Sequence, residues 1–194
     1  MHQINRERRR ALARLSYVGK STALMAWGLG LVWIIGDLYL WFSQREVIIA
    51  AILLSLSESQ PLLTQPGFAL SRLATALLFL LDVLPIVVTS LVWVLTGTFF
   101  LRLSRNELWT ARNFRLLWCA GILNILGPFL FQLSWTGQGL AVSLDLPPGE
   151  RIFVFSLGIS TGGVYEVVVG IILCAFAWMI RESTKIVEEN ALYI

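Results

Sequence analysis

Residues Ala23–Ser43 read ALMAWGLGLVWIIGDLYLWFS, with Asp37 as the single charge. A helix rises about 1.5 Å per residue and the hydrocarbon layer is about 30 Å thick, so this run is long enough to cross a bilayer. Three more runs of that kind follow at Ala76–Leu101, Leu116–Thr136 and Ile152–Ile180. The expected fold is therefore all-α: a polytopic, four-transmembrane-helix bundle over residues 23–180. A basic arm (1–22) precedes it and a polar tail (181–194) follows. The whole composition agrees, with 57% hydrophobic and 14% charged residues and a mean hydropathy of +0.74, far from soluble norms of about 25% charged.

The basic start followed by an apolar run is reminiscent of a secretory signal. The run is too long for one, however, contains Asp37 and ends in LWFSQRE without a small-residue cleavage site, so it is expected to stay as an anchor. In the segment 44–75, VIIAAILLSL (47–56) is apolar for ten residues, enough for about half a crossing. An interfacial helix is expected there, with a re-entrant segment as the alternative, before Pro61, Pro66 and Gly67 interrupt the chain.

Basic residues near spans are retained in the cytoplasm. Twelve of the fifteen Lys and Arg lie in the N-terminal arm, the loop between spans two and three, and the tail; Arg45, Arg72 and Arg151 lie on the other side. Both termini are thus expected in the cytoplasm. Tyr39, Trp41, Trp109 and Trp135 fall near the expected water boundaries, where amphipathic rings settle. The six cations of the arm are expected to lie on lipid headgroups and set topology rather than bind nucleic acid.

The only histidine is His2, which leaves no means of building a His-based metal site or a hydrolase triad, and no cofactor is expected. Cys119 and Cys174 sit in apolar runs and are expected to act as small hydrophobes. Charges in hydrocarbon usually face protein or water, which makes Asp37, Asp82 and Glu166, with Asn124, the intramembrane polar candidates. A polar centre of Asn124, Glu166 and Asp82 is one arrangement; pairing of Asp37 and Asp82 with outer arginines, or plain helix-register contacts, are the others. Neither aspartate has the D-x-G context of an intramembrane protease, so the chain is expected to be non-enzymatic. In span four, Gly158, Gly162, Glu166, Gly170 and Cys174 recur every fourth residue, which predicts a glycine-lined packing face. In span two, Thr75, Asp82, Thr89 and Thr96 are seven apart, with Pro85 positioned to kink the helix.

The loop RLSRNELWTARNFRLLWCAG (102–121) has Thr110 placed to cap the third helix. It resembles the pattern G-E-x-F-T-x-x-N of a family of small bacterial membrane proteins known as domain of unknown function 2975. Glu107, Thr110 and Asn113 match it, with Asn106 in place of the glycine and Trp109 in place of the phenylalanine. The tail resembles the family's ending E-E-N-x-L-T-hydrophobic through Glu188, Glu189, Asn190, Leu192, Tyr193 and Ile194. The resemblance implies a four-helix inner-membrane protein without established catalytic residues. It also implies a soluble helix-turn-helix regulator as a cytoplasmic partner for the loop and tail.

Three functions follow as expectations. The first is a protein that senses or relays a membrane condition to a cytoplasmic regulatory partner. The second is a small transporter or proton-coupled channel using Glu166. The third is a structural subunit of a membrane complex, or a homo-oligomer packed through its glycines. The lipid bilayer is a partner in all three.

Overall fold

The computed structural model describes residues 2–58, 60–65, 68–105, 107, 110–151 and 158–191, and their side chains apart from 2–12, 187, 188, 190 and 191. Every described element is helical. Helix α1 spans His2–Ser43, α2 Arg45–Leu56, α3 Arg72–Leu103, α4 Ala111–Ser143 and α5 Thr161–Ala191, with a short 3-10 turn at Pro61–Thr64. Four stretches are long and apolar enough to cross a membrane: Ala13–Ser43, Arg72–Leu103, Ala111–Ser143 and Thr161–Ile186. Leu24, Val32, Phe131 and Met179 are each more than half exposed on the protein surface, as expected of helix faces that meet lipid. These features together suggest a multi-pass membrane protein.

The helix starts follow side-chain capping. Ser71 accepts from the Ala74 N–H at 3.2 Å, Thr110 from the Asn113 N–H at 3.3 Å and Ser160 from the Gly163 N–H at 3.1 Å. Each hydroxyl satisfies one of the amides that a helix leaves unpaired in its first turn. Ser160 also corrects the expected start of span four: α5 begins at Thr161, Gly158 precedes the helix, and 152–157 lie outside the described residues. At the other end α5 continues to Ala191, so the tail through Asn190 is helical, while Leu192, Tyr193 and Ile194 lie outside the described residues.

Two other boundaries move outward. α1 is continuous from His2, so the basic arm and the first span share one helix. α4 runs to Ser143, past the expected end at Thr136. Thr136 and Gln138 end the apolar run in sequence, yet both are buried, and a Cβ on the intervening Gly137 would sit 2.9 Å from Leu81 Cδ2. Polar residues that face protein need not end a span. α3 and α4 remain single helices with Pro85 and Pro128 inside them.

The chain forms two compact units. The first is drawn from Met1–Leu31, Thr89–Ile125 and Tyr165–Ile194, the second from Val32–Val88 and Leu126–Val164. The first has a core of Phe99, Leu117, Ala177 and Ile180, beside a close approach of α4 to α5: a Cβ on Gly170 would lie 2.6 Å from Gly121 O. The second has a core that includes Trp41, Ile52, Leu56, Leu78, Val142 and Leu146. Helix α2, the expected short helix at 47–56, is thus part of that core through Ile52 and Leu56. The same unit ties its connections together, with the Ser71 N–H donating to Asp145 Oδ2 at 2.7 Å and Gln60 Nε2 to Glu150 O at 2.9 Å.

The packing stripe of α5 also differs from the expected one. Gly163, Gly170 and Ala177 are buried, seven apart, whereas Gly162 and Glu166 are exposed. Steps of four residues advance about 40° around a helix, while a heptad drifts only about 20° in the opposite sense. The every-fourth series is therefore off the packed face at Gly162 and Glu166 and on it at Gly170 and Cys174, where Cys174 Sγ would meet a Cβ on Gly121. Of Gly162 and Gly170, Gly170 alone makes a tight interhelical contact, and another comes from Gly163, whose Cβ would lie 3.0 Å from Pro128 Cβ.

Candidate functional site

Helix spacing brings Asp37 and Trp41 onto one face of α1, one turn apart. Leu78, fully buried on α3, does the same for Asp82. In the second unit these faces meet. Trp41 Nε1 donates to Asp82 Oδ2 at 2.7 Å, and Gln138 Nε2 from α4 donates to Asp82 Oδ1 at 3.5 Å. Asp37 lies within electrostatic reach of Asp82, and its Oδ2 is buried without a hydrogen-bond partner among the described residues. The two aspartates thus lie near each other in the second unit, with Asp82 held by hydrogen bonds and Asp37 close enough to feel its charge. Among the described residues, however, no ion pair joins either one to Arg45, Arg72 or Arg151. An indole N–H and an amide take the place of the expected arginine.

Trp41, expected near a water boundary, is turned into the protein rather than outward. It is only 4% exposed, its ring packs edge-on against Phe79 with centroids 5.3 Å apart, and its one N–H goes to the carboxylate. A buried indole needs a partner for that N–H, and Asp82 supplies it. Trp41 also forms part of the wall of a cleft of about 1410 Å³ that Arg45, Glu46, Arg72, Phe42 and Phe79 help to line. One side chain therefore touches both the cleft and Asp82.

Glu166 and Asn124 belong to the first unit. Glu166 is exposed and Asn124 half-buried, so the expected polar centre around Glu166 does not form: the glutamate points away from the packed face of α5. Among the described residues no group of three or more His, Cys, Asp or Glu side chains is placed to hold a metal ion. Cys119 and Cys174 are free thiols.

A second polar cluster occupies the first unit, and it gathers the three residues of the α3–α4 loop that the sequence singled out. Arg102 Nε donates to Asn113 Oδ1 at 2.8 Å, and its terminal nitrogen pairs with Glu107 Oε2 at 2.8 Å. The Asn113 side-chain amide donates to the Glu107 carbonyl, and Thr110 caps the helix on which Asn113 sits. Asn113 is fully buried. Glu107, Thr110 and Asn113 thus close the loop on itself, with Arg102, read from sequence only as a topology charge, at the centre. Trp109 lies outside the described residues. Near the start of the tail, the Arg181 guanidinium lies 5.5 Å from the Phe114 ring centroid and 5.2 Å from that of Trp178, within cation–π range. Glu189 is exposed, and the side chains of Glu188 and Asn190 lie outside those described.

The class these features define is an all-helical protein with four candidate membrane-spanning helices, an interhelical aspartate bonded by an indole and an amide, and an internally bonded interhelical loop. Comparison with protein-family models, with curated proteins and with solved structures finds no match in any of the three.

Proposed function

We propose that this chain is a non-enzymatic, multi-pass protein of a bacterial inner membrane that senses a membrane condition at the Asp37–Asp82 pair and relays it to a soluble cytoplasmic partner. The observation that carries this reading is the dual position of Trp41, on the wall of a cleft and in a hydrogen bond to Asp82. Neighbouring carboxylates repel one another, and a proton or cation shared between them relieves the repulsion. A change at the cleft that displaces the indole removes a donor from the same pair, which gives the site two inputs acting on one element.

Both termini lie in the cytoplasm on this reading, because twelve of the fifteen basic residues fall on the side that holds them. The α3–α4 loop and the tail then face the cytoplasm together. Their resemblance to domain of unknown function 2975 supports a helix-turn-helix regulator as the partner class.

The test uses the full chain in sealed membrane vesicles, with Glu189→Cys as a reporter on the exposed tail in a Cys119→Ser, Cys174→Ala background. Asp37→Asn with Asp82→Asn removes the charge of the pair and is expected to change the labelling rate of the reporter several-fold. Identical labelling with and without the pair would sink the relay.

A further inference from the structure

The first unit contains a cleft of about 370 Å³ between α1 and the end of α3, lined by Ser16, Lys20, Ala23, Leu24, Trp27, Leu101, Ser104 and Arg105. Its two walls are graded in the same sense. Along α1 the polar Ser16 and Lys20 come before the apolar Ala23, Leu24 and Trp27. On the α3 side the apolar Leu101 comes before the polar Ser104 and Arg105. From residue 16 to residue 27 the α1 wall is about 17 Å long at 1.5 Å per residue. The cleft thus has a cationic end and an apolar end on a common axis.

Glycines hold its walls in place. A Cβ on Gly19 would lie 2.8 Å from Ser104 Cβ and 2.9 Å from Phe100 O, and one on Gly97 would lie 2.6 Å from the Trp27 ring. Gly19 therefore lets α1 close on α3 beside the polar end, and Gly97 makes room for the indole at the apolar end. The indole is fixed there by its N–H, which donates to Val94 O at 3.2 Å. Among the described residues no carboxylate lines the cleft. Lys20 and Arg105 make no ion pair among the described residues, so two cations face one small space with their charge unbalanced.

We propose that this cleft binds one anionic glycerophospholipid, with its phosphate between Lys20 and Arg105 and one acyl chain along Leu24, Trp27 and Leu101. Charge complementarity selects the headgroup, since two unpaired cations favour a phosphate with net negative charge over a zwitterion. The apolar end selects a lipid over a free phosphate, because a soluble anion leaves Leu24 and Trp27 unfilled. The proposal rests on the membrane reading above, which resistance of the chain to alkaline extraction tests separately from any lipid preference.

The experiment is native mass spectrometry of the full chain released from mild detergent, titrated with phosphatidylglycerol or phosphatidylcholine. A phosphatidylglycerol carrying a photoreactive acyl chain maps the contact. One retained phosphatidylglycerol per chain is expected, with crosslinks at Leu24–Trp27 and Leu101. Lys20→Gln with Arg105→Gln is expected to weaken it about thirtyfold, about a factor of five for each cation lost at the membrane surface. Arg112→Gln with Arg115→Gln, which removes two exposed cations of the same unit outside the cleft, is expected to leave retention unchanged. Equal retention of phosphatidylcholine, an equal loss in both double variants, crosslinks elsewhere, or displacement by inorganic phosphate alone would each overturn the proposal.

Discussion

Gly162 and Gly170 belong to the same every-fourth series, yet their surroundings differ. A Cβ at Gly170 meets Gly121 O at 2.6 Å and Ile125 N at 3.0 Å, both backbone atoms that cannot swing aside, whereas at Gly162 the nearest atom is Ser160 Oγ at 3.8 Å. Gly170→Ala is therefore expected to destabilise the protein by about 1–3 kcal/mol, the usual cost of overpacking. Gly162→Ala should stay within about 0.5 kcal/mol of the parent. Thermal unfolding in detergent distinguishes the two, and equal losses would mean that the tight α4–α5 approach does not contribute to stability. The same contrast shows what sequence reading reached at this scale. The residue type marked α5 as a packing helix, but which glycine meets a backbone depends on where the neighbouring helix lies.

The α3–α4 connection behaves as an element of its own. Arg102 uses two nitrogens of its guanidinium, Nε for Asn113 and a terminal nitrogen for Glu107. A lysine has one ammonium and cannot reproduce this fork. Arg102→Lys is expected to remove the Nε–H donor to Asn113 Oδ1 and weaken the Glu107 contact, at a cost of about 1–3 kcal/mol, and to raise proteolysis within the loop in membrane vesicles. Unchanged proteolysis and stability would show that the cluster does not hold the loop. The capping role of Thr110 was legible in the sequence, because a hydroxyl three residues before Asn113 and next to a helix-forming run has one common use. The convergence of Glu107 and Asn113 on Arg102 was not legible as a contact. A charge at a span end satisfies the topology rule whether or not it also bonds to the loop.

For the whole molecule, the distribution of basic residues predicts where each end lies. A fluorescent protein fused after Ile194 is expected to mature in the cytoplasm. A cysteine at Glu150, in the exposed connection between α4 and α5, is expected to react with a membrane-impermeant thiol reagent added from outside intact, outer-membrane-permeabilised cells. Labelling of that position only after the inner membrane is opened would reverse the topology and place the Asp37–Asp82 cleft on the other side. The number of spans and their order depended only on the length of apolar runs, and the four long helices follow them. Their ends did not: α4 continues through Thr136, Gly137 and Gln138 because those residues face protein, and α5 starts late because Ser160 caps it.

The sequence by itself determined the class of environment and the four apolar helices, because hydrophobic length is a local property and each run carries it alone. It also placed the aspartates on the same short list without joining them. Only the tertiary structure decided that Asp37 comes within electrostatic reach of Asp82, that Trp41 turns inward to hold Asp82, and that Glu166 is left on the surface. It also set the cationic end of the α1–α3 cleft over its apolar end. Each of these depends on the rotation of one helix against another, which goes with close packing at positions such as Gly137 in the second unit and Gly19, Gly97 and Gly170 in the first and has no counterpart in the composition of any single helix.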